Sequence, residues 1–563
     1  MTFRAASVLV ALTGFIALSL ELVWVRQYYF LSATRAFAFS FLLCSYLLGL
    51  ALGSLWSIRV QKRFENGTPA EQSGSVARLV LWANVAGFLL TPLVSWIATL
   101  RMAPSYTADT PKAVVWFIEA VWGHLPQFPE WLPPWVYTYP LVAVAAGWLG
   151  TLLPLICHFS VPPDARVGSR LSKLYLANIV GSGAGSLLTG FVLMEFIPLR
   201  WICFLLLAMG VIIYVVLSGR SQASIVRGGV ILVVSAALVP VLFWQFWERM
   251  QHDQPWGSGE AFTQIVESRS GVITVDKKDK IYGGGSYDGV ISTSPIGSSW
   301  LVRAYALSAM HPNPEEVLVI GLSGGAWAQI TAANPYVKRI TCVEINHSYR
   351  EVIASHPAVA SLLKNPKVEI IIDDGRRWLE RNPDRKFDAI LMNTTQHYRE
   401  YASNLLSREY LQLAGRHLKP GGVFQYNATG SKRVHQTALE VFDHVMLLLN
   451  NLIIWNGEPH WDIARWKEVL EHYQIDGKPV FDLSQKDHQG LFNRMLALWS
   501  TAGKEPDELK QIPAYPPGDT DDEKDVRESY RMQNRAQIER ACRKANADAI
   551  TDDNLGHEYR WWQ

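Results

Sequence analysis

Seven stretches of this chain are apolar over about 20 residues: roughly 6–25, 37–57, 77–100, 137–159, 174–197, 200–218 and 227–247. A helix needs about 20 such residues to cross the hydrocarbon core of a bilayer. Water is absent there, so the backbone must satisfy its own polar groups. Length and count together predict a multi-pass helical membrane domain over residues 1–247. The piece 113–125, with Trp116, Glu119 and Trp122, is too short to span and reads as an interfacial helix in a Trp-rich loop. The first apolar stretch has no small-residue cleavage site and is followed by further spans, so it reads as an uncleaved helix.

Charge divides the chain in the same place. Of 52 Lys/Arg and 50 Asp/Glu, residues 1–247 hold 15 and 8, which leaves 37 and 42 for the remainder. A basic, apolar front half therefore precedes a polar, slightly acidic back half. Neither has the dense basic patch of a nucleic-acid binder, so no nucleic acid is expected as a partner. The five cysteines form no CxxC or Cys/His cluster, which argues against a metal site.

In the short connections, ten Lys/Arg lie on the N-terminal side of the spans (Arg4, Arg59, Lys62, Arg63, Arg78, Arg166, Arg170, Lys173, Arg220, Arg227). Five lie on the other side (Arg26, Arg35, Arg101, Lys112, Arg200). The positive-inside rule then places the N-terminus in the cytoplasm of a cell membrane and, after seven spans, the back half outside. A count wrong by one helix would put the back half on the cytoplasmic face. Gly49 with Gly53, and Gly181 with Gly185, mark close helix contacts. Glu21, Asn178 and Glu195 are polar residues at membrane depth, where a carboxylate is costly enough to suggest function. Glu21 is expected to be paired inside the bundle, for instance with Arg26, rather than to face lipid.

From Glu315 onward, short apolar runs alternate with helix-like stretches. The runs are Val317–Ile320, Arg339–Val343, Val368–Ile372, Phe387–Met392 and Val423–Tyr426. This alternation predicts a parallel sheet with helices on both faces, a Rossmann-like α/β domain. Gly321-Leu322-Ser323-Gly324-Gly325 follows the first strand, where glycines let a ligand approach the backbone at a helix N-terminus. Glu344 ends the second strand, placed to hold ribose hydroxyls. Asp373 and Asp374 end the third, in reach of an adenine edge. A nucleoside donor is the ligand such a set suits. Lys432–Leu449 reads as an amphipathic helix and Leu452–Trp455 as a strand. The charged, Pro-punctuated stretch 503–548 reads as a linker and helix.

Residues 264–430 resemble the polyamine aminopropyltransferases, the spermidine synthases. The matching pieces are Gln264-Ile265-Val266-Glu267, Tyr287-Asp288-Gly289, His311-Pro312-Asn313-Pro314 leading into Val317–Gly321, Val343-Glu344-Ile345, Asp374-Gly375, and Leu418–Gly422 followed by Gln425. The front half is similar to the multi-pass module fused to a subgroup of these proteins, on Glu21–Trp24–Arg26, Gly49–Gly53 and Tyr175–Asn178 before Gly181. Thr551–Asn554 with Glu558-Tyr559 is similar to that subgroup's ending. The resemblance implies a small β-domain (about 261–300) before a synthase-like core (301–460), with a helical extension (461–563). It implies decarboxylated S-adenosylmethionine, or S-adenosylmethionine in a methyltransferase-like variant, as co-substrate. Gln264, Gly321, Gly325, Glu344 and Asp374 would hold it.

Three departures stand beside the matches. The glycine loop lacks the family's central Asp, and Ser299-Trp300 replaces its Tyr-His pair. Asn393-Thr394-Thr395-Gln396 replaces the Asp-Ser-Ser-Asp that carries the acceptor-binding and proton-accepting carboxylates. An amide can position an amine but cannot take its proton at neutral pH. Asn393, Gln396 and the adjacent His397 are therefore the candidate catalytic residues, with His397 able to substitute as base. Arg399 nearby leaves the local field neutral to positive. These residues leave three readings open: a transferase for a less cationic acceptor, a non-catalytic binding domain on a membrane module, and a methyltransferase-like enzyme. The expected partners are the bilayer and a small nucleoside donor, and a homo-oligomer is left open.

Overall fold

The structure, a computed structural model, describes residues 2–101, 112, 115–116, 133–251, 261–295, 301–393, 397, 399–400, 402–428, 430–499 and 532–553. The predicted interfacial helix lies largely outside them, as do Ser299-Trp300, Thr394–Gln396, residues 503–531 and Asn554 onward. The chain divides into two compact units, one formed by residues 1–272 with 284–286 and the other by 273–283 with 287–563.

Among the described residues, seven helices of the first unit are long and apolar enough to cross a membrane. They are α1 (Phe3–Leu31), α2 (Phe37–Phe64), α3 (Pro69–Ala98), α4 (Pro134–Ser160), α5 (Val167–Phe196), α6 (Leu199–Leu217) and α7 (Gln222–Leu242). Side chains start several of them. Thr2 and Ser221 accept from backbone amides at the starts of α1 and α7, and Thr68 forms a reciprocal capping box with Glu71 ahead of α3. The helices pack where side chains vanish. A Cβ on Gly181 would lie 1.9 Å from the Ala11 carbonyl oxygen, and one on Gly53 equally close to that of Gly147. Small residues thus let α5 approach α1, and α2 approach α4, nearly backbone to backbone.

Arg26 does not pair with Glu21. Its guanidinium donates to the carbonyls of Ser268 (2.5 Å) and Arg269 (3.0 Å). The Arg269 amide in turn donates to Glu195 at 3.1 Å. Glu21 is 8% exposed and has no hydrogen bond or ion pair among the described residues. The expectation that it is paired within the bundle is therefore corrected. The reason is geometric: five residues along a helix rotate Arg26 about 140° away from Glu21.

Strands β1 (Gln264–Ser268), β2 (Gly271–Val275), β3 (Lys280–Gly283) and β4 (Ser286–Val290) form a four-stranded sheet in sequential order. The second unit is built on an eight-stranded sheet. Its elements are β5 (Glu316–Ile320), α8 (Ala326–Ala333), β6 (Arg339–Glu344), α9 (Tyr349–Ser355), β7 (Val368–Ile372), α10 (Gly375–Arg381), β8 (Phe387–Met392), α11 (Arg408–Arg416), β9 (Leu418–Asn427), α12 (Lys432–Val441), β10 (His444–Leu448), β11 (Asn451–Trp455) and β12 (Met532–Gln533). The strand order is β12-β10-β11-β9-β8-β5-β6-β7.

Strands β5 to β9 pair in parallel, whereas β11, β10 and β12 add antiparallel at one edge. The sheet is thus a mixed Rossmann-like one rather than purely parallel. The expected helix over Lys432–Leu449 ends at Val441, and His444–Leu448 is strand β10. Its run His-Val-Met-Leu-Leu pairs with Asn451–Trp455, so cross-strand partners override the helical pattern. Residues 419–422 make the expected turn as a bulge within β9. The register jumps there from Leu418 to Val423, and Gly421 takes φ +73°. Leu318, Ile390, Phe424, Leu452 and Ile454 pack the core beneath α11 and α12.

Candidate functional site

The chain runs outward from β5 through β6 to β7, then returns to β8 on the other side of β5. The order reverses between β5 and β8. Open α/β sheets bind ligands at such a point, beyond the carboxyl ends of the strands. The loop leaving β5 is shaped for close approach. Gly321 has φ +84° and Gly325 +79°, conformations with little cost only for glycine. A Cβ on Gly324 would meet Ile291 Cγ1 at 2.7 Å.

Glu344 supports this loop from the end of β6. One carboxylate oxygen accepts from the Leu322 amide at 2.6 Å and the other from the Asn346 amide at 2.8 Å. The residue is 5% exposed. Burial holds its carboxyl above the usual range, although the amide donors oppose the shift. A carboxylate has lone-pair capacity beyond two amide donors, so a ribose hydroxyl is a donor of the kind it can accept. Asp374 is more exposed. It caps α10 by accepting from the Arg377 amide at 2.8 Å, while its own amide donates to Asp373, which pairs with Arg381 at 3.1 Å.

Gly321, Gly325 and Glu344 thus form one cluster, with Asp374 just beyond the end of the neighbouring strand β7. Asn393 follows β8, and its Oδ1 accepts from Asn427 Nδ2 at 3.3 Å, beside the glycine loop's strand. His397 is half-buried, and Gln396 lies outside the described residues. Gln264 begins β1 in the other unit.

The sequence reading missed a second cluster. Asp288, at 8% exposure, accepts from Arg399 Nη1 at 2.5 Å and from the Tyr349 hydroxyl. Arg399 Nη2 also donates to the Gly283 carbonyl at 3.1 Å, and Ser323 Oγ to the Asp288 carbonyl at 3.1 Å. Burial pushes the Tyr349 phenol well up, so it stays a donor. These contacts tie the small sheet to the glycine loop, to α9 and to the segment after β8. They also correct the expected local field: the Arg399 charge is met by Asp288, not presented to an acceptor. The signal was present in Tyr287-Asp288-Gly289, which carries the resemblance without having been assigned a role.

A third group sits nearby. Arg303, 5% exposed, donates to Asn451 Oδ1 at 2.6 Å and to Asn450, and its guanidinium lies 5.5 Å from the Trp327 ring centroid. At the C-terminal edge, Asp552 accepts from both Arg376 terminal nitrogens (2.9 and 2.5 Å) and from Ser407 Oγ (2.7 Å). The bond to Arg376 holds the Asp552 carboxyl below its usual range.

Residues 305–446 match the family model described as the spermine/spermidine synthase domain. Over 208 residues the chain is 27% identical to a polyamine aminopropyltransferase 2 from Hyperthermus butylicus, which covers 35% of this chain and 67% of that protein. Over 119 residues it is 35% identical to a polyamine aminopropyltransferase from Streptococcus uberis, covering 21% of this chain and 41% of the relative. The chain therefore spans less than half the length of this second relative. Among solved structures, spermidine synthase from Thermotoga maritima aligns with a TM-score of 0.31 at 17% identity, over 38% of this chain and 80% of that one.

Proposed function

We propose that this chain, which carries a spermine/spermidine synthase domain over residues 305–446, is a membrane-integrated transferase of the aminopropyltransferase type. Its donor is decarboxylated S-adenosylmethionine or a close S-adenosyl relative, and its acceptor is an amine less cationic than putrescine. The single observation that carries the reading is Glu344. A buried carboxylate braces the glycine loop at the switch point, inside the segment that matches the family. Polyamine aminopropyltransferase relatives support the donor class.

In this reaction the acceptor nitrogen's lone pair forms a bond to the carbon beside the sulfonium. The carbon–sulfur bond breaks, its electrons leave on sulfur as a neutral thioether, and the new ammonium sheds a proton. The donor's adenosine would rest on Gly321–Gly325, with Glu344 on the ribose and Asp374 toward the base. Asn393 offers the acceptor a hydrogen bond but no negative charge, and His397 is the neighbouring group able to take the proton. Loss of a carboxylate base costs about 10²–10⁴ in rate. Putrescine turnover should accordingly be poor.

Incubation of the purified full chain with decarboxylated S-adenosylmethionine and a panel of mono- and diamines tests this by product mass. Aminopropyl adducts are expected. Methyl adducts formed from S-adenosylmethionine would favour the methyltransferase reading, and donor binding without any adduct would favour a binding domain.

A further inference from the structure

We propose that the seven-helix unit contains a binding site for an organic ammonium ion, centred on Glu21. Ala17, Glu21, Trp24 and Tyr28 follow each other at spacings of four, three and four, so they form one stripe along α1. Tyr46 of α2 runs along that stripe. Its hydroxyl donates to the Ala17 carbonyl at 3.3 Å, and its ring meets the Trp24 ring edge-on with centroids 6.2 Å apart. A ring anchored at both 17 and 24 passes beside position 21. One turn further, Tyr28 stacks on Tyr139 of α4 at 4.6 Å and closes the stripe.

Among the described residues the carboxylate on this stripe has no ion-pair partner. Arg26 is committed to the Ser268 and Arg269 carbonyls. Arg249, a buried cation of this unit, donates to Ser95 and Leu242 and lies 4.0 Å from the Trp96 ring centroid. Glu21 itself has no hydrogen bond or ion pair among the described residues, and the fully buried Trp24 Nε1 has no partner either. A buried charge must be paired or neutralised. Here the missing partner comes from outside the chain.

The surroundings select its chemistry. Inorganic cations such as calcium need six or more oxygen ligands, and one carboxylate among aromatic rings does not supply them. Aromatic faces attract alkylammonium groups, and a carboxylate accepts their N–H donors. A primary amine or diamine fits both. This inference goes beyond the transferase reading and draws on it only for the choice of probe.

Equilibrium dialysis of radiolabelled putrescine against the purified full chain in detergent tests the site. Glu21→Gln should weaken binding by about 10-fold or more, the loss of one charged hydrogen bond. Trp24→Leu should weaken it several-fold, whereas Glu21→Asp should retain binding. Carbodiimide labelling of Glu21 in the unsubstituted protein, read by mass spectrometry, should be slowed by putrescine even if a variant fails to fold. Undiminished binding in Glu21→Gln would overturn the proposal. Labelling indifferent to putrescine would also overturn it and leave Glu21 a proton site. Donor binding measured on the same sample keeps the two readings apart. Its absence beside Glu21-dependent amine binding would remove the transferase reading alone.

Discussion

At the residue scale, Glu344 and Asp288 make separable predictions. Ribose hydroxyls donate to a carboxylate, so the donor must bind the ionised form of Glu344 better than the protonated one. Because burial raises that carboxyl's pKa, donor affinity should increase as pH rises from the acid side through the raised value, and then level off. Calorimetry from about pH 5 to 8 reads this, and Glu344→Gln should flatten the profile. The shift is opposite for Asp552, held low by Arg376, but the contribution again grows with pH. Its contribution to stability is present above the ordinary carboxylate range and is lost as pH falls through the depressed value. Asp552→Asn should therefore lower stability near neutral pH, and the deficit should disappear as pH falls through the depressed value. Asp288 with Arg399 is a buried pair whose partners also bond elsewhere. Arg399→Ala should cost about 1.5–3 kcal/mol, and the double variant with Asp288→Asn should recover part of that loss. Simple additivity in thermal unfolding would show the pair to be uncoupled.

Elements divide into those legible from local pattern and those decided by partners. The seven apolar helices and the five parallel strands follow from runs of apolar residues, because a buried parallel strand is apolar on both faces. The glycine loop and Glu344 were legible for a related reason: each sits where one strand ends and a helix begins. His444–Leu448 was not, since it becomes a strand only through pairing with Asn451–Trp455. The Asp288–Tyr349–Arg399 cluster joins residues up to 111 apart in sequence, so no local spacing could show it. Glycine spacing did mark the helix contacts. At Gly181 even one methyl group would collide with the Ala11 carbonyl. Gly181→Leu should lower the thermal stability of the first unit in detergent while leaving donor affinity unchanged. A variant that melts like the unsubstituted chain would contradict the packing.

For the whole molecule, the account joins a seven-helix unit, proposed to lie in a membrane, to an α/β unit proposed to use a soluble nucleoside donor. Charge counting over the short connections favours the α/β unit outside, whereas S-adenosyl donors are made in the cytoplasm. A pair of reporters fused after Gln563, one active only in the cytoplasm and one only outside, decides between them. Catalysis with such a donor predicts the cytoplasmic signal. The most direct test of the central claim is donor binding itself, by calorimetry of decarboxylated S-adenosylmethionine against the full chain and against Glu344→Ala. The account predicts saturable binding that the substitution weakens by about 1.5–3 kcal/mol, the range for a hydrogen bond to a charged group. No binding, or equal affinity in the two proteins, would contradict it.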